Sequence, residues 1–128
     1  MSNHSIPTLD QFIEMGSKAK WPLNKYVLFP GFSSLYVRYG SFRYVDEMRM
    51  EPLLDLASLN AEEPGKGAFT KLHKHLRVHH PDLWLYVESV LNERFEKKLE
   101  KVGYIRHEGK YPPCFYMPSV QVRMMNEQ

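Results

Sequence analysis

The period of the apolar positions changes several times along the 128 residues of the chain. Leu9, Phe12 and Ile13, with Met15 beside them, recur at helical spacing behind Thr8 or Asp10, either of which can cap a helix. Trp21-Pro22 ends that segment, because the residue before a proline is pushed out of the helical region. Pro30-Gly31 marks a turn. Ser34 to Tyr39 alternates and is rich in β-formers, so it reads as a strand. Gly40-Ser41 reads as a turn, Phe42 to Val45 as a return strand, and Pro52 to Leu59 as a third extended run. Phe69, Leu72 and Leu76 restore the helical period until about His80, where Pro81 closes it. Leu83 to Val90 is a strongly apolar run, as expected of a central strand buried on both faces. Asn92 can cap a last helix with a stripe of Phe95, Leu99 and Val102 and a stop at Gly103. Tyr104–His107 and Cys114–Met117 flank a turn and predict a final hairpin, and the polar residues after Pro118 predict a loosely held tail.

These elements predict one α/β domain (α+β in its segregation) over residues 1–118, with antiparallel strands at both ends and a tail over 119–128. There is no repeat, low-complexity block or linker. Composition changes little in that picture. Hydrophobic residues are 43% and charged residues 25%, ordinary for a globular protein. A net charge of +2, with both signs interspersed, gives no electrostatic case for nucleic acid. No apolar run approaches the roughly 20 residues that span a bilayer, so no membrane is expected. The single cysteine, Cys114, cannot pair internally, and the stretch MSNHSIPTLDQF lacks a secretory pattern. The expected setting is cytoplasmic.

Candidate chemistry concentrates in Leu59-Asn-Ala-Glu-Glu-Pro-Gly-Lys-Gly-Ala-Phe-Thr-Lys-Leu72, where two glycines flank a lysine between an extended run and a helix. A phosphate loop of the GxxxxGK[ST] type lacks its first glycine here and meets Gly67 where a Ser or Thr must bind the metal. A dinucleotide fingerprint GxGxxG finds Gly65 and Gly67 but Thr70 in place of the third glycine. A plain tight turn before a helix remains the simple alternative.

The order of strand, glycine loop, helix, apolar strand, Asn-started helix and Gly-aromatic stop resembles the GNAT family of acetyl-CoA-dependent N-acetyltransferases. The family's Q/R-x-x-G-x-G/A loop aligns with Pro64-Gly-Lys-Gly-Ala-Phe69, after a strand whose Ala57-Ser58-Leu59 ending fits the family's small-x-aliphatic pattern. Asn92 is followed eleven and twelve positions later by Gly103 and Tyr104, as in the family's downstream motif. The resemblance covers about residues 33 to 118, and the Gly-Lys-Gly-Ala-Phe-Thr loop also resembles that of small phage-encoded members, which would place it in a host cytoplasm. It implies a mixed, mostly antiparallel central sheet flanked by helices, and acetyl-CoA as acetyl donor. The pyrophosphate would meet Gly65, Lys66, Gly67, Ala68, Phe69 and Thr70 at a helix N-terminus, whose amides and dipole favour anions. The pantetheine arm would run along Leu56 to Leu59, thus Ala57, Ser58 and Leu59, and Asn92 would contact the cofactor. Pro64 and Phe69 depart from the family's pattern: Pro64 removes a donor, and Phe69 reads best as a core residue.

Acetyl transfer by direct attack of an amine needs a proton acceptor, an N–H for the thioester carbonyl and often an acid for the thiolate. Asp55 occupies the position where some family members carry a Glu, and Glu88 interrupts an otherwise apolar strand. Either is a candidate base, and Asp55 could instead pair with Arg38 or Arg49. The tyrosine that many members use as acid corresponds to Leu99, leaving Tyr86, Ser89, Tyr116 or water. His73, His75, His79 and His80 have no HExxH pattern and read as an exposed basic helix end, so no metal is expected. The run Leu35 to Tyr44 interleaves aromatics with arginines as nucleic-acid platforms do, but an amphipathic hairpin gives the same pattern. Two functions follow. One is an N-acetyltransferase acting on an amine of a small molecule or protein, with a homodimer as its expected assembly. The other is a non-catalytic protein of GNAT fold that holds a protein or nucleic-acid partner.

Overall fold

The computed structural model describes residues 5–126; residues 1–4, the start of the stretch read for a leader, and 127–128, the end of the expected tail, lie outside it. In chain order the elements are α1 (Leu9–Lys18), β1 (Leu23–Tyr26), β2 (Phe32–Tyr39), β3 (Tyr44–Val45), β4 (Met48–Arg49), β5 (Leu53–Ala61), α2 (Ala68–His79), β6 (Trp84–Val87), α3 (Glu93–Val102), β7 (Ile105–Arg106), β8 (Phe115–Met117) and α4 (Val120–Asn126). Six strands form one sheet in the order β1-β2-β5-β6-β8-β7, and β3 and β4 form a separate hairpin. Only β5 and β6 run parallel; the other pairs of the sheet are antiparallel. The molecule is therefore α+β, with a mixed and mostly antiparallel sheet, as the sequence leads one to expect.

Strand parity sorts the side chains into two layers. On one face Leu35, Val37, Leu54, Leu56, Leu85, Val87, Phe115 and Met117 meet the apolar stripes of α1, α2 and α3 in the main core. On the other, Leu53, Trp84, Tyr86 and Cys114 form a smaller cluster with Met50, and Val45 and Val122 pack against it. A bulge at Ala57 resets this parity. Tyr36 lies opposite Ser58 and Val37 opposite Leu56, so Ala57 has no partner on β2 and Leu59 returns to the helix-covered face.

Local chemistry explains the helix ends. Thr8 and Gln11 form a reciprocal capping box at α1. The Asn92 carboxamide accepts from the N–H groups of Arg94 and Phe95 and starts α3, which Gly103 ends in the left-handed region. α1 lies close on the sheet because Gly16 has no side chain: a Cβ there would sit 2.4 Å from the Tyr39 ring.

The structure corrects the sequence reading at three elements. Phe42–Val45 does not return onto β2. Both edges of β2 are taken, by β5 and by β1, an edge strand too exposed to show an apolar pattern. The chain instead turns through Asp46-Glu47, both at positive φ, to pair Tyr44-Val45 with Met48-Arg49. The long apolar run ends as a strand at Val87, five residues before the Asn92 cap, and Ser89 adopts a positive φ. The expected loose tail is helical from Val120 to Asn126: the Val120 N–H bonds to the Pro81 carbonyl, and Ser119 Oγ accepts from the Val122 N–H.

Candidate functional site

β5 and β6 are paired from Leu53↔Trp84 to Leu56↔Val87 and then part. A last contact, from the Glu88 N–H to the Leu56 carbonyl at 3.4 Å, closes the shared ladder. Beyond it β5 continues to Ala61 against β2 alone, so its other edge, from Ala57 onward, is left without a strand partner among the described residues. The opening continues into a cleft of about 560 Å³. Its walls are the end of β5 (Leu59, Asn60, Ala61), the glycine loop and the start of α3, including Asn92, Arg94 and Lys98.

The loop is shaped by its own backbone. Gly65 and Gly67 have φ of +84° and +81°, which an L side chain adopts only with strain. Apart from their chain neighbours, no atom of the described residues lies within 4 Å of a Cβ placed on either, so they are there for conformation and not for room. Gly67 is the residue before α2, and among the described residues no side chain caps that helix. Its first-turn N–H groups are thus available to an anion. The loop is fixed to the β1–β2 connection by a 2.9 Å bond from the Glu62 N–H to the Gly31 carbonyl.

The residues singled out in the sequence divide around this cleft. Leu59, Gly65, Gly67, Ala68, Phe69 and Asn92 line it. Lys66 does not; it borders a smaller recess on the other side of the loop with Pro30, Glu62 and Lys71. Thr70 is an exposed residue of the first turn of α2, and Ala57 and Ser58 lie at the bulge before the cleft. Phe69 is core as well as wall: it is buried, edge-on to Phe95 at 5.1 Å and near Tyr104 at 5.8 Å. Arg94 and Lys98 were not found from sequence. They are one helical turn apart, a spacing that becomes informative only once α3 is known to flank the loop.

Asp55 and Glu88 come together on the sheet face away from the three helices. Asp55 is fully buried in β5, and its Oδ2 accepts from Arg43 Nε at 3.0 Å. The partners expected for it, Arg38 and Arg49, are engaged elsewhere. Arg38 bonds Glu88 Oε2 at 2.8 Å, and Arg49 pairs with Glu51 and lies over the Phe42 ring. Arg43 also reaches Glu88 Oε2, at 3.2 Å, and rests on the Tyr86 ring at 4.0 Å. One guanidinium thus serves two carboxylates. Burial pushes the Asp55 carboxyl up to about 8, and a hydrogen bond from its neutral form to Glu88 adds to the rise, against the lowering charge of Arg43. Its Oδ1 is buried and receives no donor among the described residues. Arg43 lies in the loop before β3 and came from no motif.

Tyr86 lies opposite Asp55 in the parallel register, and its hydroxyl is 2.6 Å from His107 Nδ1. Burial raises the Tyr86 phenol and lowers the His107 imidazole. Leu99 is buried in the main core and offers no proton. Ser89 is exposed, and Tyr116 is half-buried beside the smaller cluster, with its ring 5.8 Å from that of His107.

No protein-family model, curated protein or solved structure matches this chain. Among the described residues no helix is long and apolar enough to cross a membrane.

The histidines of α2 do not act as one exposed group. His73 is half-buried, with Nδ1 2.8 Å from the Tyr104 hydroxyl; burial, Arg77 and Arg123 hold it down at about 4, so it is neutral near pH 7. His75 and His80 both reach back to Asp10. Cys114 is buried and unpaired, which agrees with a structural role.

Proposed function

We propose that this chain is a GNAT-type N-acetyltransferase that moves an acetyl group from acetyl-CoA to an amine of a small molecule or protein. The observation that carries this reading is the parting of the parallel pair β5 and β6 after Leu56↔Val87, with a glycine loop and two helix starts around the opening. That order of elements is what the resemblance implies. The residues fit a phosphate-bearing thioester of extended shape. A free strand edge beyond the Ala57 bulge can pair with an amide-containing arm, and the uncapped start of α2 suits a pyrophosphate. Arg94 and Lys98 add positive charge to the same cleft.

Acetyl-CoA would supply the activated acyl group. The β5 amides past Leu56 would hold the pantetheine arm and offer an N–H to the acyl oxygen. Asp55 Oδ1, which receives no donor, would take the amine's proton, with Glu88 sharing it and Arg43 fixing the pair. Tyr86 Oη, backed by His107 Nδ1, would protonate the departing thiolate. The buried lone cysteine agrees with a reducing cytoplasm as its setting.

A thermal-shift titration tests the reading first. Acetyl-CoA should raise the Tm at sub-millimolar concentration, and no rise at millimolar concentration would sink it. Release of free thiol with a panel of amines then tests turnover. Stabilisation without thiol release from any amine would favour the non-catalytic binding protein instead.

A further inference from the structure

At the opposite end of α2 from its glycine start, Asp10 converges with two histidines 65 and 70 residues further along the chain. Asp10 lies in the first turn of α1, His75 in α2, and His80 just after α2 ends. His75 Nε2 is 2.9 Å from Asp10 Oδ1 and 3.1 Å from Oδ2, and His80 Nε2 is 2.8 Å from the same Oδ1. One ligand atom from each residue lies within 4.8 Å of the other two. We propose that Asp10, His75 and His80 bind a first-row divalent transition-metal ion, Zn²⁺ in the first instance. This inference is independent of the acetyl-transfer reading.

The chemistry of the donors selects the ion. Two imidazoles and one carboxylate suit zinc and its neighbours, whereas magnesium and calcium take oxygen ligands. Zinc bonds of about 2.0–2.1 Å at tetrahedral angles put ligand atoms roughly 3.3 Å apart. The two Asp10–histidine separations need only a small outward movement of partly exposed side chains.

Each ligand is held by surrounding structure. The capping box fixes the turn that carries Asp10, and the Leu9 N–H and Leu28 carbonyl tie that turn to the strand region at 3.0 Å. His75 stands edge-on to Phe29 at 5.2 Å. His80 leaves the helix with φ −136° and ψ 58° while its N–H still bonds to the Leu76 carbonyl, which turns its ring back toward His75. A cavity of about 600 Å³ adjoins the cluster and is lined by Asp10 and His75 together with Thr8, Phe29 and Glu62. Three protein ligands at an open cavity leave a coordination position for water. The bound ion would join α1 to the end of α2. In the bound state each imidazole would coordinate through an unprotonated Nε2 and carry its one ring proton on Nδ1.

The test uses the full chain with any affinity tag removed and metals stripped by a chelator. Titration with ZnCl2 should show one ion per chain and raise the Tm by several degrees, with MgCl2 giving no rise. His80→Gln and Asp10→Asn should each weaken zinc binding by more than about tenfold, with far-UV circular dichroism unchanged, while His79→Gln should leave it intact. Nitrogen NMR of the unsubstituted protein should show zinc-dependent shifts at Nε2 of His75 and His80, a readout that needs no variant. No rise in Tm at roughly a hundredfold excess of zinc over protein would overturn the proposal and leave a hydrogen-bonded Asp–His pair of contacts. Retention of full affinity by His75→Gln/His80→Gln would overturn it as well.

Discussion

Asp55 is surrounded on a central strand by groups that pull its proton in opposite directions. Burial and Glu88 favour the neutral acid, Arg43 favours the carboxylate, and the balance lies at about 8. The folded value is above the ordinary 3.8, so between those limits the native state holds more protons than the unfolded chain. Stability contributed by this group is therefore full at low pH and lost as pH rises through about 8. The slope approaches about 1.4 kcal/mol per pH unit for one proton. Asp55→Asn should flatten the dependence of unfolding free energy on pH between 5 and 8, measured by urea denaturation. In an enzyme it should also lower kcat by roughly 10²–10⁴, whereas the unsubstituted enzyme should gain rate as pH climbs toward the Asp55 value of about 8. A pH–rate profile unchanged by Asp55→Asn would remove Asp55 from the chemistry.

Two helices are positioned by glycines for different reasons, and their substitutions should behave differently. At Gly67 only the backbone objects to a side chain. Gly67→Ala should cost about 1 kcal/mol in stability, the price of a left-handed alanine, and weaken acetyl-CoA binding by shifting the first amides of α2. At Gly16 the objection is steric, because a methyl group would enter the Tyr39 ring. Gly16→Ala should destabilise by about 1–3 kcal/mol by lifting α1 from β2, with a lower Tm and little change in cofactor affinity among the molecules that remain folded. Equal losses of affinity in both variants would mean that the loop has no special part in binding. The elements themselves were largely legible. Helices with a regular stripe and a capping residue, such as α1 and α3, declare themselves locally. β1 and the β3–β4 hairpin did not, since an exposed edge and a two-residue pairing leave almost no periodic signal.

Over the whole molecule, charge is divided between the sheet face away from the three helices and the cleft at the sheet's open end. The net charge of +2 conceals this, because Arg38 and Arg43 are matched by Glu88 and Asp55 while Arg94 and Lys98 stand at the cleft. Cofactor binding should accordingly weaken as salt is raised, and Arg94→Glu/Lys98→Glu should raise the apparent Kd for acetyl-CoA by about tenfold or more, an energy of roughly 1.4 kcal/mol. The double variant should also reduce the salt dependence measured by calorimetry. An unaltered Kd would place the phosphates elsewhere.

Local sequence by itself determined the glycine loop, the Asn92 cap with its Gly103 stop and the apolar stripes of the helices. Each depends on residues within a few positions of one another, where backbone preference and side-chain period act directly. Tertiary structure alone decided the rest. Arg43 joins Asp55 to Glu88 from a loop outside the sheet, and β6 parts from β5 where the bulge and the turn at Ser89 redirect the two chains. Asp10 meets His75 and His80 across 65 and 70 residues of sequence. Such meetings are set by how amphipathic faces stack, and stacking is a property of the assembled core that no short window of sequence contains.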